Sequence, residues 1–169
     1  MTVLVGYATV HGSTREIAQR IGARLRAAGV ETDVRPFESV GDTGGYDAFV
    51  LGSAVYDQKW LGPARDFVRR APAALGSRPV WLFSVGMPGA LRGPWKRLIR
   101  YEVPAIEKDL ATPFTAREHR LFSGVLEPGH LTPRSRLRFR LMGCRYGDHR
   151  DWPEIEAWAE SVAGTLARR

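Results

Sequence analysis

Cysteine is almost absent from this sequence. Cys144 is the only one in 169 residues, which excludes a disulfide within the chain. The paired cysteines of a zinc site are missing too, and His11, His119, His130 and His149 are scattered, so no metal site is expected. Long hydrophobic runs are lacking: none approaches the roughly 20 residues needed to span a bilayer. The opening apolar stretch, Thr2 to Val10, follows no basic region and runs into a Gly-Ser-Thr turn, so it does not read as a secretory signal. A soluble or peripheral protein of the cytoplasm is expected. Lysine is scarce, with only Lys59, Lys96 and Lys108 against 22 arginines. No lysine follows the first glycine turn, and no second glycine stands two residues before it. A nucleoside triphosphate loop and a Gly-x-Gly-x-x-Gly dinucleotide fingerprint are thereby excluded.

What is present is ordinary in amount and uneven in place. Hydrophobic residues make up 44% and charged residues 25%, enough apolar material to fill one core, and one domain over 1–169 is expected. The formal charge is +7. Four positive charges and no negative ones lie in 92–100 (RGPWKRLIR), and a net of +4 lies in 127–150, which leaves the rest of the chain near −1. The excess is local.

Short apolar runs alternate with amphipathic ones. Thr2–Ala8 (TVLVGYA) is a continuous apolar run, as a strand buried on both faces requires. Ser13–Ala28 has Ile17, Ile21 and Leu25 four residues apart with arginines opposite, the pattern of a helix that packs one face. Ser13 and Glu16 fit a capping box, and Gly29 stops the helix. Further strands are expected at Glu31–Phe37, Asp47–Ser53, Pro79–Val85 and Arg120–Leu126. Helices are expected at Pro63–Arg70, at Pro104–Leu110 with proline in the first turn, and from Asp151 or Trp152 onward. Five strands joined by helical connections indicate an α/β fold with a parallel sheet covered on both faces. Ligands bind such sheets beyond the carboxyl ends of the strands, where the winding reverses.

Three loops fall there. Thr9-Val10-His11-Gly12-Ser13-Thr14 joins a buried strand to a helix N-terminus, where free amides and the helix dipole attract an anion. Three hydroxyls and no cation suit a single phosphate monoester; the bland reading is that Ser13 merely caps its helix. The second loop, Ser53-Ala54-Val55-Tyr56 and on to Trp60, offers Tyr56 as a stacking wall for a planar ligand, while Trp60 suits stacking and helix packing equally. The third, Ser84-Val85-Gly86-Met87-Pro88-Gly89, allows backbone to lie along a flat ring.

Together these loops resemble the flavodoxin superfamily, a doubly wound fold of strand order 2-1-3-4-5. Within it, TVHGSTREIA (9–18), YDAFVLGSAVYDQKW (46–60), FSGVL (122–126) and Asp151-Trp152 resemble the menaquinone-dependent protoporphyrinogen dehydrogenase family. The resemblance implies FMN as cofactor, with Thr9, Val10, His11, Gly12, Ser13 and Thr14 at its phosphate. It also implies that Ser53, Ala54, Val55 and Tyr56, with Ser84, Val85, Gly86 and Met87, frame the isoalloxazine. It further implies a basic, apolar insertion before the last helix, and electrons passing from a reduced tetrapyrrole to a quinone. Gly143–Arg150 departs from the family in being short and not acidic.

The basic segments then have two uses. In 91–100, Leu91, Trp95, Leu98 and Ile99 fall at helical spacing among Arg92, Lys96, Arg97 and Arg100, a pattern that suits an anionic membrane surface. In 134–142, period-two alternation reads as a strand, whereas the resemblance implies a helix. Arg136, Arg138 and Arg140 could hold tetrapyrrole carboxylates, or seat the protein on anionic lipid at the inner face of the cell membrane. A merely solvated arginine-rich surface is the third reading. Nucleic acid is not supported, since no binding motif accompanies the charge. His11 is expected to serve through its backbone and His119 to be exposed; neither is assigned a catalytic role. The rival function is a flavodoxin-type electron carrier, ranked lower because such carriers usually present an acidic face.

Overall fold

The computed structural model describes every residue except Arg92, Thr112, Pro113 and Arg169, and the side chains of Trp95, Leu98 and Arg138 also lie outside the description. In chain order the elements are β1 (Thr2–Ala8), α1 (Ser13–Ala27), β2 (Glu31–Pro36), β3 (Ala48–Tyr56), β4 (Lys59–Trp60), α2 (Gly62–Arg70), α3 (Pro72–Ser77) and β5 (Val80–Gly86). They continue with α4 (Ile99–Leu110), β6 (Glu118–Ser123), β7 (Val125–Leu126), α5 (Pro133–Leu141), β8 (Gly147–Asp148) and α6 (Trp152–Ala167).

Five parallel strands form the sheet in the order β2-β1-β3-β5-β6, with β4 folded back antiparallel on β3. This is the expected 2-1-3-4-5 arrangement; the two-residue β4 only shifts the labels. Alternation along each strand divides the core in two. Val3, Val5, Val50, Phe83 and Phe122 face Ile17, Ile21 and Leu25 of α1 and Ile155, Trp158 and Val162 of α6. Leu4, Phe49, Leu51 and Leu82 face Phe67 and Val68 of α2, Leu75 of α3 and Ile106 of α4. Both faces of the inner strands are therefore dry, which is why β1, β3 and β5 read as continuous apolar runs.

Several boundaries differ from expectation. The N-cap of α1 is Gly12 in the left-handed region, with no side-chain cap, so Ser13 and Glu16 form no capping box; Glu16 pairs with Arg150 instead. Pro104 lies inside α4, which starts five residues before it, and Gly93–Leu98 is a 3-10 run leading into that helix instead of an amphipathic α-helix over 91–100. The strand expected over Arg120–Leu126 starts earlier and breaks at Gly124 into β6 and β7. Residues 133–141 are helical, so the period-two strand reading is wrong and the family-based helix is right. Asp151 caps α6, accepting the Glu154 amide at 3.0 Å, with Pro153 in the first turn as expected.

One close approach fixes the sheet beside the loops. Gly52 of β3 lies opposite Phe83 of β5, and a Cβ on Gly52 would fall 2.0 Å from the Phe83 ring. Phe83 is itself locked by Phe122 and Trp158 at ring-centroid distances of 6.3 and 6.2 Å. Gly52→Ala is expected to destabilise the protein by about 2 to 3 kcal/mol, since the ring has nowhere to go. Urea denaturation monitored by circular dichroism measures this; a loss below about 0.5 kcal/mol would show that the ring is free to shift.

Candidate functional site

Because β1, β3 and β5 are parallel, their carboxyl ends open on one edge of the sheet. Chain leaving β1 at Ala8 turns through Thr9, whose Oγ1 accepts the Gly12 amide at 3.0 Å, and Gly12 takes φ +93°, where glycine pays no Cβ penalty. The first intrahelical bond of α1 runs from the Glu16 amide to the Gly12 carbonyl, so the amides of Ser13, Thr14 and Arg15 precede it. Thr14 is fully buried, and its Oγ1 has no hydrogen-bond partner among the described residues. A buried hydroxyl without a partner is costly. At a helix N-terminus, an anion would satisfy it.

A cavity of about 470 Å³ lies over this edge. Thr9, Val10, His11 and Ser13 line it from the first loop, Ala54, Val55, Tyr56 and Asp57 from the second, and Val85, Gly86 and Met87 from the third. Most of the expected cofactor residues thus converge. Val10, Tyr56 and Met87 form an apolar rim, at 56%, 43% and 38% exposure. The second loop is a tight hairpin in which Asp57 and Gln58 both have positive φ, 50° and 60°. Glu102 of α4 stands behind Gly86, with its Oε1 2.9 Å from where a Cβ would lie, and burial raises its carboxyl above the usual range.

Ser53 and Ser84 do not line the cavity with their hydroxyls. Ser53 Oγ accepts the Leu61 amide and donates to the Ala54 carbonyl. Ser84 Oγ takes the Trp60 indole N–H at 2.8 Å and meets His119 Nε2, also at 2.8 Å. Trp60 is 2% exposed, so it packs and does not stack on a ligand. His119 was expected at the surface, yet its side chain is 2% exposed, because α4 folds across it and brings Glu107 Oε1 to 3.1 Å from Nδ1. Burial holds the His119 pKa below the ordinary histidine value, against the upward pull of the Glu107 hydrogen bond and charge.

The fourth wall is one that the sequence reading missed. Gly124 lets the chain pass between the first and third loops: a Cβ there would meet Val85 at 2.9 Å and Ser13 Oγ at 3.2 Å. Val125, Leu126, His130, Leu131, Phe139, Met142 and Cys144 then line the cavity from the insertion. Phe139 is 4% exposed and clusters with Ala90, Leu126 and Tyr146. His130 stacks on His11 with ring centroids 3.7 Å apart and planes within 7°, tying the insertion to the first loop. Burial and then the adjacent His130 hold the His11 pKa below the histidine norm, against the smaller pull of Glu127. Burial pushes the Cys144 thiol up, so it stays protonated and unreactive at neutral pH. Outward on α5, Arg134, Arg136 and Arg140 are exposed, and Leu137 and Leu141 are 61% and 77% exposed. Arg97 is exposed as well; Trp95 and Arg138 lie outside the described side chains. No group of three or more metal-ligating side chains occurs among the described residues.

A doubly wound parallel sheet with a phosphate-type loop at its first switch point is the architecture of flavin-mononucleotide-binding α/β proteins. The sequence matches the flavodoxin domain family over residues 4–148, and the chain belongs to that family. A flavodoxin from the domain Archaea superposes over 99% of both chains with a TM-score of 0.61 at 17% identity. The flavodoxin of Streptococcus pneumonia TIGR4 superposes over 98% of this chain and 99% of its own with a TM-score of 0.60 at 14% identity. In sequence, the chain is similar to the protoporphyrinogen IX dehydrogenase [quinone] of Escherichia coli K12, 28% identical over 99 residues, 57% of this chain. The match spans about half the length of that relative, 54%.

Family membership implies FMN, and the residues present fit it. The unpartnered Thr14 hydroxyl and the α1 amides suit its phosphate, and the apolar rim suits its ring. Thr14→Val, which keeps the shape and removes the hydroxyl, is expected to weaken FMN about tenfold and leave riboflavin, which has no phosphate, unchanged. Isothermal titration with both ligands measures it; equal losses for the two would place the phosphate elsewhere.

Proposed function

We propose that residues 1–169 act as one FMN-binding unit of an oxidoreductase of the protoporphyrinogen dehydrogenase type, taking electrons from a reduced tetrapyrrole and passing them to a quinone. Bound FMN would supply the electron transfer itself, since Cys144 is the only cysteine in the sequence and has no partner for a redox disulfide. Thr9, His11, Gly12, Ser13 and Thr14 hold the phosphate. Ala54–Tyr56 and Val85–Met87 frame the ring, with Ser53 and Ser84 supporting those loops from beneath.

The observation that carries the reading is the two-sided insertion. Its inner side, with Leu126, Leu131, Phe139 and Met142, adds an apolar wall to the cavity. Its outer side presents Arg134, Arg136 and Arg140 around two exposed leucines, Leu137 and Leu141, one helical turn apart. Guanidinium groups pair with carboxylates in two-point contacts and attract anionic headgroups, while exposed leucines enter the acyl boundary. A tetrapyrrole bearing carboxylates and a membrane quinone both match such a face. The E. coli relative's name supports the same substrate pair. Among the described residues no helix is long and apolar enough to cross a membrane, so the contact proposed is peripheral, at the inner face of the cell membrane.

FMN-loaded protein mixed anaerobically with protoporphyrinogen IX and a menaquinone analogue is expected to yield protoporphyrin IX over repeated turnovers. Replacing Arg136, Arg138 and Arg140 together by alanine is expected to cut turnover, or binding to anionic liposomes, at least tenfold, while FMN affinity stays within about twofold. Flavin that is reduced only through a separate reductase would instead identify an electron carrier. Loss of FMN binding in the triple variant would show that the arginines belong to the cofactor site.

A further inference from the structure

Beneath the second and third loops, Trp60, Ser84, His119 and Glu107 form a continuous chain of hydrogen bonds, buried from Trp60 to His119 and ending on the half-exposed Glu107. Donor chemistry fixes its direction. An indole N–H only donates, so Ser84 Oγ accepts from Trp60. A carboxylate only accepts, so His119 Nδ1 carries the proton facing Glu107. In the neutral imidazole Nε2 is then the acceptor, and the Ser84 hydroxyl donates to it. The polarity is that of a nucleophile, base and acid in series, but Ser84 is fully buried and capped by the Trp60 indole, so no substrate reaches it. The array holds; it does not attack.

What it holds is specific. Trp60 closes the hairpin that carries Ala54–Tyr56, and Ser84 directly precedes Val85–Met87. His119 comes from β6 and Glu107 from α4. We infer that His119 is the positioning residue of the flavin ring site: as the Nδ1–H tautomer it bonds Ser84 and, through it, Trp60, and so sets the gap between the two loops that take the ring. The inference rests on the assignment of those loops to the isoalloxazine. Other charged groups on the surrounding elements are Lys59 of β4 and Arg65 of α2, both paired with Asp109 of α4, together with Glu102 and Lys108 of α4. Of the charged groups among the described residues, only Glu107 is hydrogen-bonded to the His119 imidazole. Protonation of Nε2 would remove its acceptor role and turn the Ser84 hydroxyl away. Since burial depresses the His119 pKa, the clamp stays intact through the ordinary histidine range, near 6.5, and is lost only as pH falls through the lowered pKa.

Two measurements test this on the full chain. Long-range proton–nitrogen NMR, with His119→Gln as the assignment control, is expected to show His119 Nδ1 protonated and Nε2 bare at pH 7.5; the tautomer is read on the wild-type protein, and the opposite one overturns the inference. Titration with riboflavin and FMN is expected to show Ser84→Ala and His119→Leu weakening both by the same factor, about tenfold. His119→Gln, whose amide oxygen can accept from Ser84, is expected to recover most of the loss. Riboflavin affinity of the wild type is expected to fall as pH drops through the lowered His119 pKa and that of His119→Gln to stay level; using riboflavin removes the phosphate's own titration. Variants that bind like wild type overturn the inference alone. Wild-type protein that binds neither flavin overturns the ring-site assignment and the inference with it.

Discussion

Parallel pairing is the constraint from which the rest of the structure follows. Two neighbouring parallel strands cannot be joined by a hairpin, so the chain must cross back over the sheet each time, and helices come to cover both faces. The covered faces demand apolar residues along the inner strands β1, β3 and β5, while the edge strands β2 and β6 carry charged residues as well. The common direction brings the ends of β1, β3 and β5 to one edge, with the N-terminus of α1 beside them. Everything polar in the site is gathered at that edge, because the interior has no room for it. Even the buried serines, Ser53 and Ser84, sit in the last turns of their strands, where they brace the loops.

The insertion changes what such an edge can do. A cavity open on one side would leave bound flavin available to any partner. Here Leu126, Leu131 and Phe139 close a further side, and the His11–His130 stack fastens that wall to the first loop. At the far end, Arg150 reaches Glu16 and Asp148 and lies over the Trp152 ring, 4.7 Å from its centroid, with Arg20 on the same indole at 4.8 Å. The insertion is therefore tied to the first loop through His11 and to α1 through Glu16. Arg134, Arg136 and Arg140 are exposed and do not line the cavity, yet the helix that carries them is part of its wall.

Much of this was legible in the sequence because it is local. A seven-residue apolar run followed by Thr9–Thr14 can only be a buried strand turning into a helix, and the strand order followed from the resemblance those loops carry. Features set by distant packing were not legible. Nothing near His119 announces that α4 will cover it, and Trp60 and Ser84 are 24 residues apart. Pro104 suggested a helix start because proline favours the first turn, but α4 accommodates it internally. For 134–142 the alternating arginines fitted a strand, and the decisive signal lay just before them: Pro133 opens α5, and the Thr132 hydroxyl accepts the Ser135 amide at 3.2 Å, a helix start.

The central claim is that the insertion is a wall of the cofactor cavity and not an appendage. Amide hydrogen exchange with and without saturating FMN tests it most directly, because each segment is read separately. Bound FMN is expected to protect Gly124–Leu126 and α5 along with Thr9–Thr14 and Ala54–Tyr56. Protection confined to the three loops, with exchange over 124–144 unchanged, would contradict the account.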